Sequence, residues 1–199
     1  MEMQKHHTKS SIGTLKSKWI NLFFVTYLFI SCENKQNLSQ KFIEDNFLEI
    51  VDTMAYSTGA FVSPPRENMN YSQLSVNLTQ KITYNKKIDE ITQTFFEKNK
   101  DLKSSFKELL ENNTYSEFSL DSTFPKQMGK YHIFFNGNNI DKKIKYAGRI
   151  DIGNFKIHKD KAILILAESM GKYGTIYVIL FKKEGVNWKI FKREVLGQS

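Results

Sequence analysis

The chain of 199 residues holds one cysteine, Cys32. A cysteine serves as nucleophile, metal ligand, disulfide partner or acyl acceptor. One cysteine cannot close a disulfide within a chain. A zinc site needs more Cys or His at short spacing, and His132 and His158 stand far from each other and from Cys32. The sequence has no Gly-x-Ser-x-Gly elbow, phosphate-cradling glycine loop or His-Glu-x-x-His helix. No metal or other cofactor is expected, and no catalytic residue is nominated. Adjacent acids such as Glu44/Asp45 and Asp89/Glu90 fall on helical stretches. There they point about 100° apart and read as solvated faces. Glu168, closing an apolar run, is the acid best placed to enter a pocket. Tyr131, Phe135, Tyr146 and Tyr177 join it as candidate pocket lining, although a plain core is the preferred reading of aromatic side chains in strands.

The surroundings of Cys32 narrow its role. Lys5, Lys9, Lys16 and Lys18 outweigh Glu2 in the first eighteen residues. Trp19 to Ser31 is then largely apolar. As a helix these thirteen residues span roughly 20 Å, against about 30 Å of bilayer hydrocarbon. The run is short for a stable span and fits the apolar core of a secretory signal. The tetrapeptide Phe29-Ile30-Ser31-Cys32 ends it. Together these features resemble the signal peptide and lipobox of bacterial lipoproteins. Phe29 departs from the aliphatic residue usual three places before the cysteine. The resemblance implies cleavage between Ser31 and Cys32 and lipidation of Cys32, with acyl chains such as palmitate. Two or more chains hold a protein stably at a membrane. The expected organisation is a signal peptide over 1–31, a lipidated tether over 32–37 and one domain over 38–199, located in the bacterial cell envelope.

Charge and composition limit the remaining classes. Lys and Arg total 29 against 21 Asp and Glu, a formal net charge of +8. Such a balance raises nucleic acid as a partner. The lysines are scattered, and Arg occurs only at 66, 149 and 193, which favours solvated surface over a nucleic-acid face. No nucleic-acid partner is expected; the membrane and a small apolar ligand or a protein are. A hydrophobic content of 40 % with 14 % aromatics supports a folded core.

Residues 38, 42, 43, 47, 50, 51, 54 and 55 are apolar at helical spacing. Leu74 to Tyr84 alternates as a strand, and Ile88 to Leu110 returns to helical spacing, as one long helix or as two with a break near Asn99-Lys100-Asp101. The rest reads as strands: 131–135, 145–157 with a bulge or turn at Gly153-Asn154, 162–167, 175–181 and 188–195. The connections near 158–161, 170–174 and 183–187 have hairpin chemistry. Strands so close leave no room for crossover helices, so an antiparallel sheet follows. The fold class is α+β, with helices covering one face of a curved, largely antiparallel sheet.

This order, and the closing stretch from Tyr177 through the turn Lys182-Lys183-Glu184-Gly185 to Trp188-Lys189-Ile190, is similar to NTF2-like domains, with a cystatin-like sheet as the alternative. An NTF2-like cone implies a pocket inside the curved sheet. Three functions follow from the sequence. The first is a non-enzymatic envelope protein that binds a ligand or partner. The second is an immunity or inhibitor lipoprotein neutralising a toxin or hydrolase. The third is an enzyme, which requires titratable side chains converging inside the cone.

Overall fold

Apolar residues on both parities of one strand bury both faces of a sheet. In β7, Lys161–Met170, residues 162–166 are all buried. A computed structural model describes residues 38–51, 70–112, 114–135 and 143–199, and shows what covers each face. Cys32 and Ser31, the tether and residues 54 and 55 lie outside the described residues.

The chain is α+β with a mostly antiparallel, mixed sheet. After a helix over 38–51 (α1) come β1 Asn70–Leu78 and a short β2 Lys81–Ile82. Three helical pieces follow: α2 Lys86–Lys98, α3 Lys100–Ser105 and α4 Lys107–Glu111. Then come β3 Phe118–Ser119, β4 Gln127–Met128, β5 Tyr131–Phe134, β6 Ile144–His158, β7, β8 Tyr173–Glu184 and β9 Asn187–Gln198. Seven strands pair in the order β4-β5-β1-β6-β7-β8-β9, and β2 pairs with β3 apart from them. From β6 to β9 the sheet is an antiparallel meander with tight turns. Gly171 and Gly185 turn two of its hairpins at φ 63° and 62°, a region that costs glycine little.

β1 runs parallel to both of its neighbours, β5 and β6. Parallel neighbours need a long crossover. Residues 79–130 supply it, because α2 to α4 lie between β1 and β5. The long helical stretch breaks at Asn99, as its sequence allows, and a second time at Phe106.

The helices do not share one face, in contrast to the expectation. The α1 face holds Phe42, Ile43, Phe47, Ile50 and Val51 against Ala162, Leu164, Leu166, Ile179 and Phe181. Phe42 meets Phe155, Phe181 and Trp188, each with ring centroids within 5.2 Å. Arg193 of β9 donates from Nη2 to the carbonyls of Glu49 and Ile50, tying β9 to α1. On the opposite face Phe96, Phe106 and Leu109 pack on Ile163, Ile165, Val178 and Leu180. Two-sided burial of the meander accounts for the difference: two apolar faces need two covers.

Candidate functional site

A one-residue irregularity in β6 aims its most unusual side chain. Gly153 stands opposite Ile165 and Lys156 opposite Ile163, so three steps along β6 match two along β7. The extra residue is a β-bulge, where Asn154 takes a left-handed φ of 44°. A bulge of one residue reverses which side chains face which side. Before it Ile150 and Ile152 enter the α1 core; after it Phe155 and Ile157 do. Lys156 is thereby turned toward α2, on the face of Ile163.

The bulge also collects the segments around Lys156. The Asn154 amide donates to the carbonyl of Thr83 at 3.0 Å. Its side chain accepts from the backbone N–H of Asn85 and donates to the Asn85 carbonyl, at 2.7 and 2.9 Å. Asn85 in turn caps α2, its Oδ1 accepting from the amides of Lys87 and Ile88. Ser116 donates its backbone N–H to the carbonyl of Phe155 at 2.8 Å. Thus Tyr84 and Tyr115 arrive side by side from separate segments, with ring centroids 4.5 Å apart.

Asp89, in the first turn of α2, gathers polar hydrogens. The Tyr115 hydroxyl donates to one carboxylate oxygen, while Tyr84 and Gln93 donate to the other at 3.3 and 3.0 Å. Burial, then the bond to Asp89, holds the Tyr115 phenol well above its ordinary pKa. Lys156 is 6 % exposed, and its Nζ lies 4.1 Å from the Tyr115 ring centroid. That is a cation–π contact. Among the described residues Lys156 makes no hydrogen bond or ion pair. Burial pushes its pKa below the usual lysine value.

These side chains line a cavity of about 920 Å³ between α2–α4 and the sheet. Phe96, Leu110, Ile163 and Ile165 make its apolar wall. Lys100, Lys103 and Lys107 edge it from α3 and α4. Lys103 pairs with Glu97 at 2.5 Å and Lys107 with Glu111 at 3.7 Å. The size is that of sites for small organic molecules. Chemically the arrangement offers an apolar surface, one enclosed ammonium and a carboxylate whose oxygens already accept from two phenols and an amide. Among the described residues no group of three or more His, Cys, Asp and Glu side chains gathers as for a metal.

None of the pocket residues nominated from sequence lines this cavity. Tyr131 is buried in the α1-side core beside Phe47, and its hydroxyl donates to the Val51 carbonyl at 3.4 Å. Phe135 and Tyr177 pack against the same core. Tyr146 is half-buried beside Phe134, with ring centroids 6.2 Å apart, and burial raises its pKa. Glu168 is buried on β7 between Ile150 and Thr175. His132 meets Gln73 at 3.0 Å, and His158 meets Asn112 at 3.3 Å. Sequence reasoning assigns Asp89 to a solvated face and does not single out Tyr84, Tyr115 or Lys156 as site residues. One signal was present: the apolar parity switch from Ile150 and Ile152 to Phe155 and Ile157 places Lys156 away from the α1 core. Among the described residues no helix is long and apolar enough to cross a membrane. No family model, curated protein or solved structure matches the chain.

Proposed function

We propose that the chain is a lipid-anchored protein of the bacterial cell envelope whose domain, 38–199, binds a small molecule without transforming it. The cavity over β6 and β7 carries this reading: about 920 Å³, apolar on one wall, with Lys156 enclosed in it. Its carboxylate already accepts from two tyrosines and a glutamine, which suits holding a ligand more than proton transfer. The anchor rests on the sequence around Cys32. The element order of helix, strand, broken helix and meander supports an NTF2-like frame; α1 lying on one sheet face supports a cystatin-like one.

Native mass spectrometry of the protein from its own membranes tests the cavity. A bound small molecule is expected, and Leu110→Trp, which fills the wall, removes it. The same bound mass in the variant sinks the reading. For the anchor, label from an alkyne fatty acid is expected to enter the protein and to be lost in Cys32→Ala; equal labelling overturns it.

A second reading, an inhibitor or immunity protein with a protein partner, draws on β9. Among the described residues this strand pairs only with β8 and exposes Phe191 and Val195. An exposed strand edge is a template for pairing with another chain. Absence of any co-purifying protein counts against it.

A further inference from the structure

We infer that the cavity selects an organic monoanion, a carboxylate on an apolar body, with Lys156 as the residue that reads its charge. The inference rests on the ligand-binding reading above and names the class of ligand. A polar group enclosed without a hydrogen-bonding partner is costly, and an enclosed charge more so. Lys156 is more than nine-tenths buried and faces the cavity; among the described residues its ammonium contacts only the Tyr115 ring, while the Asp89 carboxylate acts on it through space without a hydrogen bond. A ring face offers partial negative charge but accepts no full hydrogen bond. A carboxylate oxygen supplies what the ammonium lacks, in a short charge-assisted bond.

The other charges set the ligand's valence. Lys103 and Lys107 are already matched by Glu97 and Glu111. Lys100 makes no ion pair among the described residues, so it and Lys156 are the cations left to a ligand. Lys100 is exposed and its charge is weakened by solvent. With Glu97 and Glu111 held by Lys103 and Lys107, a multiply charged phosphate would face the Asp89 carboxylate with only Lys156 and a solvent-weakened Lys100 to balance it. A cationic ligand fits no better. The face of Tyr115 is taken by Lys156, and the Asp89 carboxylate by the hydrogens of Tyr84, Tyr115 and Gln93. Phe96, Leu110, Ile163 and Ile165 receive the hydrocarbon part, whose burial supplies the bulk of affinity.

The test is calorimetric titration of the purified full chain with sodium octanoate, 1-octanol, octylammonium chloride and sodium phosphate, below aggregation concentrations. Octanoate is expected to bind at least about tenfold tighter than octanol, the scale of one charge-assisted hydrogen bond. Lys156→Met, close in length and without charge, brings octanoate to the level of octanol and leaves octanol unchanged. A circular-dichroism melt verifies that the variant is folded. Leu110→Trp removes both ligands. If octanol or octylammonium equals octanoate while Leu110→Trp abolishes binding, the charge selection is wrong and the cavity reading stands. Phosphate binding that competes with octanoate also overturns the monoanion assignment. If no octyl probe binds, or Leu110→Trp changes nothing, both readings fall together.

Discussion

The two faces of the central sheet are built from neighbouring residues of the same strands, yet they solve different problems. On the α1 face, side chains such as Phe47, Phe155, Phe181 and Leu164 are fully buried in one cluster. On the α2–α4 face, Ile163 and Ile165 alternate with them along β7, but the helical cover breaks at Asn99 and Phe106 and leaves a cavity. A single straight helix lays one unbroken stripe on a sheet. Three short pieces cannot, and polar groups from 84, 89, 115 and 156 occupy the room they leave. A filled face gives stability, and a half-filled face gives a place to bind.

If that contrast is right, damage should be costliest on the filled face. Phe155 is fully buried, with ring centroids 5.1 Å from Phe42 and 6.3 Å from Phe118. Phe155→Ala should lose about 3–5 kcal/mol in denaturant unfolding, through lost transfer energy and a cavity. A loss below about 1 kcal/mol would mean that the α1 face is loosely packed and the contrast is false.

The joint between the faces comes next. Asn154 tolerates its left-handed backbone better than most residues and clamps the N-cap of α2. Asn154→Gly keeps the backbone and loses two hydrogen bonds, for a cost of about 1–2 kcal/mol. Asn154→Ala adds backbone strain of about 1 kcal/mol. The order of the two variants, alanine below glycine, is the measurement; the reverse order would show that the bulge is not held by that φ.

How much of this was legible is best seen residue by residue. The stripe of Phe42, Ile43, Phe47, Ile50 and Val51 announces α1, because helical period is local information. The hairpins of the meander are equally plain from Gly171 and Gly185, whereas the helical stretch reads as one helix or two and the structure breaks it at Asn99 and again at Phe106. The parallel pairing of β1 is not legible, because its partners lie more than fifty residues away. Tyr131 and Phe135 fit a pocket or a core, with core the preferred reading, and the structure sets both on the α1-side core. Lys156 was half legible. The parity switch at Gly153-Asn154 turns it from the core, but only the docking of segments 83–85 and 114–117 puts a tyrosine ring against it.

On the cavity face a smaller effect is expected. Tyr115→Phe keeps the ring under Lys156 and removes the hydroxyl that donates to Asp89. The cost should be about 1 kcal/mol, since Tyr84 and Gln93 still serve the carboxylate. A loss of 3 kcal/mol or more would make this cluster structural, as on the other face.

Lys156→Met should cost least and is the sharpest discriminator. A residue that stabilises its fold is missed when removed; one kept for a ligand is not. Burial lowers the lysine's pKa in the folded chain below 10.5, so the folded state binds protons less readily than the unfolded one. Below that lowered pKa the folded chain carries the full penalty of an enclosed ammonium. As pH rises toward 10.5 the penalty is relieved, and this lysine's contribution to stability increases. The variant has no such term. It should therefore equal or exceed the parent in stability at neutral pH, by about 0–1 kcal/mol. Its advantage should shrink toward pH 10. Asp89 on α2 opposes the shift, and the other charged and phenolic groups around the cavity are common to both proteins, so the difference between them isolates Lys156. A variant clearly less stable at neutral pH, or an advantage that grows with pH, would make Lys156 a structural cation and dissolve the distinction between the two faces.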